Sequence, residues 1–451
     1  MDLYRPILAK AIFPAFEALR GRPTVPLLRY VQRTERWPLD ALRDLQAGQL
    51  KRLVRHAYRH TAYYRELFDD AGLLPEDIET VADLARVPLL TKAKSRASVD
   101  ARTSDAPPFP TIVKMTSGSS GEPVVIKYND ESRHWRDAMR WRGYGWSGYE
   151  IGMRALHYWG FGPKSAAPWW KRKKADLDHA WKRDLFIDCT PRSEAALADV
   201  VTQVRRYHPH ILVAYAGGAA ALARFINDRS LRAWRDIPVL TGAEALPSAD
   251  RAQIEQAFGP VFETYGCREF MLIGAECEEH AGLHTSMENM IVEILVDGRT
   301  ARPGEVGEVT VTDLHNLGCP MIRYQTGDLA TAGDDSVCAC GRTLPRIRNV
   351  QGRVTETLRD GAGNAVSGLT FNIVMAAMGT QIKTWQVVQK PDRSVIFKVV
   401  SHTGEPLPAR DTQILGEYVV KYLPGVPFVV EYVSEIPLST MGKRRSVVVE
   451  V

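Results

Sequence analysis

Between about residue 110 and residue 265, short β-type runs alternate with helical runs, and this alternation limits the fold more than any other feature. The β-type runs are RALHYWGF, HILVAYAG and IPVLTGAE. The helical runs are EAALADVVTQVRRY, AAALARFIND and SADRAQIEQAF. Parallel strands need a crossover connection, which is usually a helix packed on the sheet. The alternation therefore predicts an α/β fold in which helices cover a parallel sheet.

The regions on either side have different patterns. Residues 1 to about 90 keep apolar residues near helical spacing, which predicts a helical leader. Residues 290–350 are mostly strand-like with glycine-rich turns, which predicts a β-rich subdomain. After Gly352, a hairpin pattern, a helical stretch and a last strand predict a small α+β unit. We therefore predict a large N-terminal domain of residues 1–351 and a small C-terminal domain of residues 352–451.

Composition excludes several classes of protein. A net charge of only +5 in 451 residues gives no reason to expect a nucleic-acid partner. Six scattered cysteines are too few for a disulfide scaffold of this size, so we expect a reducing, cytoplasmic location. Lys10, Pro14 and Glu17 interrupt the apolar residues of the N-terminus, which therefore predicts neither a membrane span nor a signal peptide. Peripheral membrane contact stays open, as does the choice between monomer and homodimer.

Residues 116–123 read Thr-Ser-Gly-Ser-Ser-Gly-Glu-Pro and lie between two β-type runs. Such a turn can direct several backbone N–H groups and hydroxyls to one point, which suits phosphate oxygens. A solvated surface loop is the alternative. Lys127 lies beyond the loop on the following strand, so the sequence does not have the arrangement of a P-loop NTPase.

Six motifs in a fixed order resemble the adenylate-forming enzymes. Within them, the chain is most similar to the phenylacetate–CoA ligase-like branch, including relatives associated with capsular polysaccharide biosynthesis. The motifs are the loop at 116–123, LTGAEAL at 240–246, ETYGCREF at 263–270, IRYQTGDL at 322–329, QGRV at 351–354 and LSTMGKRR at 438–445. The resemblance implies a large α/β domain, a small mobile C-terminal domain, and ATP-dependent conversion of a carboxylic acid to an acyl-adenylate with release of pyrophosphate.

The resemblance also implies roles for individual residues. Lys443, Glu269 and Thr116 would be catalytic, with Glu269 helping to hold Mg²⁺. Asp328 would accept hydrogen bonds from the ribose hydroxyls, assisted by Arg353. The residues expected to bind the phosphates of ATP are Thr116, Ser117, Gly118, Ser119, Ser120 and Gly121. The residues expected near the adenine are Gly242, Ala243, Glu244 and Tyr265, and Gly266 is also expected to bind the nucleotide. The acid is expected between segments 157–162, 214–218 and 265–273, whose aromatic and small residues suit an aryl or compact apolar acid.

One position departs from the family pattern, so the sequence does not decide which nucleophile accepts the acyl group from the adenylate. The hinge position after Gly-Arg, usually aspartate, is Thr355, and the segment LRDGAGNAVSGL follows it. The Asp-Gly and Gly-Asn pairs of that segment are typical of a turn between paired strands. The acceptor is therefore CoA or another nucleophile: an amine, a sugar or a carrier protein. A non-catalytic relative that acts as a binding protein is a further alternative, against which Glu269, Asp328 and Lys443 argue.

Cysteine and histidine spacing predicts a structural zinc site. Cys277 precedes two histidines, His280 and His284, and Cys338 and Cys340 follow about sixty residues later. Three thiolates and one imidazole would complete a closed tetrahedral site. Some relatives in the resembled family carry zinc at this place. We prefer His284 over His280 as the fourth ligand, and the alternative is that these side chains never meet.

Overall fold

The computed structural model describes residues 2–106, 111–115, 125–160, 169–353, 357–363, 365–367, 371, 382–438 and 445–450. Its first part is helical. The helices are α1 (Tyr4–Ile7), continued by a π-helical turn (Leu8–Ile12), α2 (Phe13–Leu19), α3 (Thr24–Thr34), α4 (Leu39–His60), α5 (Ala62–Asp70), α6 (Lys92–Ala97) and α7 (Val99–Arg102), with 3₁₀ turns at Pro75–Asp77 and Ala82–Arg86. The Thr61 hydroxyl accepts a hydrogen bond from the Tyr64 N–H and caps α5.

The middle of the chain alternates strand and helix. The elements are β1 (Thr111–Met115), β2 (Val125–Asn129), α8 (Asp130–Gly145), β3 (Ala155–Trp159), α9 (Trp169–Lys182), β4 (Asp184–Asp188), α10 (Glu194–Tyr207), β5 (Ile211–Tyr215), α11 (Ala216–Asp228), β6 (Val239–Gly242), α12 (Ser248–Ala257) and β7 (Val261–Tyr265). β1 and β2 form an antiparallel pair. β4, β3, β5, β6 and β7 pair in parallel in that order. The predicted parallel sheet with helical crossovers is confirmed.

Antiparallel strands extend the same sheet. They are β8 (Gly274–Glu276), β9 (Leu283–Thr285), β10 (Met290–Val296), β11 (Arg299–Thr300), β12 (Val306–Asp313), β13 (Tyr324–Ala332) and β14 (Arg346–Arg353). β7 pairs with β8, so these strands and the five parallel ones form one sheet of twelve strands in the order β11-β10-β12-β13-β14-β9-β8-β7-β6-β5-β3-β4. The segment predicted as a β-rich subdomain is thus continuous with the parallel sheet.

The last part of the chain forms smaller sheets. Its elements are β15 (Thr357–Arg359), β16 (Ala365–Ser367), β17 (Ile382–Gln389), β18 (Val395–Ser401), α13 (Ala409–Tyr422), β19 (Phe428–Tyr432) and β20 (Val447–Val449). β15 and β16 form an antiparallel ribbon, and the other strands form a sheet in the order β19-β18-β17-β20. An apolar cluster that includes Phe397, Leu415 and Val419 packs α13 on this sheet. The predicted hairpin, helix and strand are present, and β20 is an additional strand.

Burial follows the layer pattern of an α/β fold. All five residues of β5 are buried, because helices cover both faces of a central parallel strand. The cluster around β5 includes Val200 and Val204 from α10 and Leu222 and Ile226 from α11. In the described part of the chain, no helix is long and apolar enough to cross a membrane.

Candidate active site and candidate metal centre

The candidate active site lies along the carboxyl edge of the parallel strands. Trp159, Tyr215, Gly242 and Tyr265 are the last residues of β3, β5, β6 and β7. Because neighbouring parallel strands end at the same edge of a sheet, the structure brings these residues together, and ligands of open α/β sheets bind at such an edge. Two of the six motifs, at 240–246 and 263–270, therefore meet segments 157–162 and 214–218 although all four are far apart in the sequence.

Tyr265 and Asp328 form the centre of this edge. The Tyr265 hydroxyl donates a hydrogen bond of 2.9 Å to Oδ2 of Asp328. Tyr265 is 7% exposed, and burial together with the Asp328 carboxylate raises its pKa well above the ordinary value. The phenol therefore remains a donor at physiological pH and orients the carboxylate. Asp328 on β13 also lies opposite the backbone of Arg353 on β14 in the register of the sheet.

The turn that carries Asp328 is fixed by hydrogen bonds. The Thr326 hydroxyl donates to the Val309 carbonyl at 2.9 Å and accepts from the Asp328 N–H at 3.1 Å. Gly327 has a φ of +71°, and a Cβ there would lie 3.0 Å from Nζ of Lys92. A side chain at this glycine would be strained and would press on Lys92. The sequence analysis missed Lys92, whose position beside the turn depends on a contact between distant segments.

Glu269 lies in the tight loop after β7. Its side chain is 8% exposed, and Oε1 accepts a hydrogen bond of 3.2 Å from the Tyr324 hydroxyl. Gly266 permits this loop, because a Cβ there would lie 1.8 Å from the Met271 carbonyl oxygen. Burial and the neighbouring Glu269 raise the pKa of Cys267 well above its ordinary value, so its thiol is neutral beside the carboxylate. A carboxylate held in this way offers a hard oxygen ligand, which Mg²⁺ prefers.

The segment expected near the adenine lies at the end of β6 and contacts β7 and α11. Ala243 has a positive φ of 69°, and a Cβ at Gly242 would lie 2.8 Å from the Thr264 hydroxyl. Oε2 of Glu244 accepts a hydrogen bond of 2.9 Å from the Gly217 N–H, at the first turn of α11. Glu244 therefore stabilises the N-terminus of a helix, a role that the sequence analysis did not foresee.

Two aromatic rings stand beside this segment. The Trp159 and Tyr215 rings pack edge to face with centroids 4.3 Å apart. Burial, with Cys189 and Glu244 nearby, raises the pKa of Tyr215 to about 12. The structure thus brings together the described parts of segments 157–162 and 214–218, between which we expected the acid to bind. Aromatic side chains in this position suit an aryl or compact apolar group.

Several predicted site residues lie outside the described part of the chain. They are Thr116, Ser117, Gly118, Ser119, Ser120, Gly121, Thr355, Lys443 and the side chain of Arg353. Their roles stay predictions. The strands predicted on either side of this segment are present as β1 and β2, which pair along their whole length.

A second cluster brings together three thiols and one imidazole. Cys277, His284, Cys338 and Cys340 place their ligand atoms within 4.8 Å of one another. The Cys277 and Cys338 sulfurs lie 3.8 Å apart, and the Cys340 sulfur lies 3.6 Å from Nε2 of His284. Around a tetrahedral zinc ion, bond lengths of about 2.3 Å to sulfur and 2.0–2.1 Å to nitrogen separate neighbouring donors by roughly 3.5–3.8 Å. The residues therefore fit a closed zinc site.

The surroundings select His284 over His280. Nδ1 of His284 lies 3.0 Å from the Leu344 carbonyl, so the N–H on that nitrogen donates there and Nε2 faces the thiols. Burial lowers the pKa of His284 to about 4, which keeps its imidazole neutral, as a ligand must be. His280 instead lies 3.2 Å from a Glu276 carboxylate oxygen. The predicted ligand set is brought together, and His280 is not part of it.

Comparison with known proteins identifies relatives in sequence and in structure. The phenylacetate-coenzyme A ligase of Thermus thermophilus is 28% identical over 342 residues, which cover 73% of this chain and 74% of the relative. The phenylacetate-coenzyme A ligase of Escherichia coli is 27% identical over 340 residues, or 71% of this chain and 73% of the relative. A crystal structure of 2-hydroxyisobutyryl-CoA ligase in the postadenylation state, in complex with R3-HIB-AMP, matches with a TM-score of 0.73 at 18% identity and covers 93% of this chain and 92% of that one. No protein-family model matches the chain.

These matches show the fold of the chain and what its sequence is similar to. The chain has the fold of the adenylate-forming ligases, which confirms the predicted fold class. Within that class, its sequence is similar to the phenylacetate-coenzyme A ligases over nearly three quarters of its length, which confirms the resemblance inferred from the six motifs.

Proposed function

We propose that the chain activates a carboxylic acid with ATP. The acid carboxylate attacks the α-phosphorus, the bond from that phosphorus to the oxygen of the β-phosphate breaks, and pyrophosphate leaves with the electron pair. The observation that carries this proposal is the contact of Tyr265 with Asp328 at the carboxyl edge of the sheet, with the buried Glu269 in the loop that follows Tyr265. The similarity to ligases whose solved structures contain acyl-AMP supports it.

The proposed roles follow from the chemistry of each group. Asp328, oriented by Tyr265, accepts hydrogen bonds from the ribose hydroxyls, and the backbone of Gly242 and Ala243 lies beside the adenine. Glu269 would hold Mg²⁺, which neutralises phosphate charge during the displacement. The hydroxyls and N–H groups of residues 116–121 bind the β- and γ-phosphates. Lys443 stabilises the negative charge that develops in the transition state.

The test of this function is product analysis with a panel of carboxylic acids, aryl acids first. We expect one acid class to stimulate release of pyrophosphate and AMP in equal amounts, because the displacement cleaves ATP between its α- and β-phosphates. The measurement is pyrophosphate release coupled to chromatography of the nucleotides. Stimulated release of ADP and phosphate would show a different reaction, and the absence of stimulation by any acid would favour the non-catalytic alternative.

The β15–β16 ribbon favours a second candidate for the transfer step. Leu358 lies opposite Val366, so the segment after the hinge position pairs with itself, as its turn residues predicted. In the resembled family this segment lines the path of CoA. We therefore predict that free CoA is a poor acceptor, and that an amine, a sugar hydroxyl or a carrier protein takes the acyl group.

That prediction is tested by titrating CoA once an acid has been found. We expect thioester formation, followed by mass spectrometry, to be much slower than pyrophosphate release at every CoA concentration. The relatives named as CoA ligases support the opposite outcome. Saturable acyl-CoA formation at the rate of pyrophosphate release would show that the ribbon does not prevent use of CoA.

The remaining features of the proposal concern organisation. We propose that residues 352–451 move as a unit about a hinge near Thr355 and close over the large domain during adenylation. The separate apolar cluster of the four-stranded sheet supports an independent unit.

A zinc ion bound by Cys277, His284, Cys338 and Cys340 would be structural, because a closed four-ligand site has no position for a reacting water. A cytoplasmic location is part of the same proposal.

A further inference from the structure

The first helical segment exposes an apolar face. Leu3, Ile7 and Leu19 are 68%, 53% and 88% exposed, and Ile12 is 38% exposed. From residue 3 to residue 19, every exposed position is apolar or aromatic except Lys10. Exposing such a surface to water costs about 25 cal/mol for each Å². A contiguous patch of this kind usually marks an interaction surface.

The opposite face of the same segment is anchored on the protein. Phe13 is buried and packs edge to face on Trp141 with ring centroids 6.0 Å apart. The buried Glu17 accepts a hydrogen bond of 2.5 Å from the Thr24 hydroxyl. The segment is therefore held in place by its inner face while its outer face stays apolar.

Helix α9 adds aromatic and basic residues beside this face. Trp169, Trp170 and Leu177 are 64%, 53% and 70% exposed, and Nζ of Lys173 lies 5.3 Å from the centre of the Trp169 ring. The Tyr4 hydroxyl donates to the Trp181 carbonyl at 2.8 Å, and the Phe16 and Trp181 rings lie 4.7 Å apart. The two segments therefore form one surface, which we call the apolar–basic surface: residues 3–19 and 169–182.

The positive charge of the chain is concentrated at this surface. Residues 3–19 carry two basic and one acidic side chain, residues 169–182 carry five basic and two acidic ones, and the whole chain has a net charge of +5. The excess of basic residues in these two segments is four, against five for the whole chain. Exposed tryptophan, leucine and lysine side chains are typical of proteins that lie in the headgroup region of an anionic bilayer.

We infer that the apolar–basic surface docks the protein on an anionic lipid surface. Apolar side chains enter the headgroup region, and lysine and arginine side chains contact lipid phosphates. A second copy of the chain fits this surface less well, because a two-fold interface would place the same basic segments opposite each other. The inference does not depend on the proposed reaction, since none of these residues has a role in it.

The test is flotation of the full-length protein with vesicles of phosphatidylcholine, alone or with a third of the lipid replaced by phosphatidylglycerol. We expect binding to the anionic vesicles only, weaker binding at high salt, and a blue shift of tryptophan emission on binding. Binding that does not distinguish the two vesicles, or no binding to either, would overturn the inference.

Variants test the two segments of the apolar–basic surface, residues 3–19 and 169–182, one at a time. We expect Leu3→Glu with Ile7→Glu, and separately Lys173→Glu with Lys174→Glu, each to weaken vesicle binding about tenfold or more. Val337→Glu and Val420→Glu serve as matched controls, because these valines are 65% and 68% exposed elsewhere and should bind as the parent does. Pyrophosphate release in solution should not change in any of them. If the parent were a dimer at sedimentation equilibrium and Ile7→Glu were a monomer, the surface would instead bind a second copy of the chain.

Discussion

Replacing Asp328 by asparagine is expected to raise the dissociation constant for ATP by about 10- to 100-fold, because a hydrogen bond to a charged group contributes about 1.5–3 kcal/mol. The substitution keeps the shape of the side chain and removes its charge. Asp328→Ala should have a larger effect, since the Tyr265 hydroxyl, which donates to Oδ2 at 2.9 Å, would lose that partner in a buried position. Titration calorimetry with ATP measures both variants without knowledge of the acid.

Two further variants make the measurement specific. Tyr265→Phe removes the phenol and leaves the carboxylate, so we expect a smaller loss of ATP affinity than for Asp328→Asn. Asp297→Asn is the matched control, because Asp297 is exposed in a turn with a φ of 50°, which asparagine tolerates. An Asp328→Asn protein that melts as the parent does and binds ATP with unchanged affinity would remove Asp328 from the nucleotide site.

Local sequence patterns predicted the parallel part of the fold well. Residues 194–207 keep apolar side chains at helical spacing, and the structure has α10 at Glu194–Tyr207 with Leu197, Val200, Val201 and Val204 buried. Ser193 caps this helix by accepting a hydrogen bond from the Ala196 N–H. Such signals lie within a few residues of the element they determine, so one sequence is enough to read them.

Pairing between distant strands could not be read in the same way. β8 has only three residues, Gly274–Glu276, and its pairing with β7 makes the antiparallel strands continuous with the parallel sheet. β20 joins the small sheet in parallel with β17, about sixty residues away in the sequence. Short strands carry little periodicity, and a long-range pairing is decided by tertiary packing that local patterns do not encode.

The same distinction holds for the candidate site. Tyr265 and Asp328 belong to recognisable motifs, so the sequence predicted both, and the structure shows the contact between them. Glu244 was predicted beside the adenine, but its contact with the Gly217 N–H depends on how α11 packs against β6. Lys92 lies in none of the six motifs, and Cys267 lies in the motif at 263–270 without a predicted role. Their positions follow from the fold around them.

Loss of a zinc ligand is expected to destabilise the protein by roughly 3–5 kcal/mol, at the upper end of single-substitution effects. Purified without chelator, the parent should contain one zinc ion per chain, and Cys338→Ser and His284→Ala should lose it. The cost is large because Cys277 and His284 belong to the β8–β9 region and Cys338 and Cys340 to the segment before β14, which the ion would join. Metal analysis and thermal melting measure the two effects.

Matched controls show whether the loss of stability is specific to the four ligands or follows from replacing any buried thiol or any histidine. Cys319→Ser changes a thiol that is 3% exposed outside the cluster, and His280→Ala changes the histidine beside Glu276, so both should keep the zinc and melt close to the parent. At low temperature, Cys338→Ser should still bind ATP, because a closed site takes no part in chemistry. A metal-free parent would refute the zinc site. If His284→Ala kept its zinc and His280→Ala lost it, the fourth ligand would be His280 and not His284.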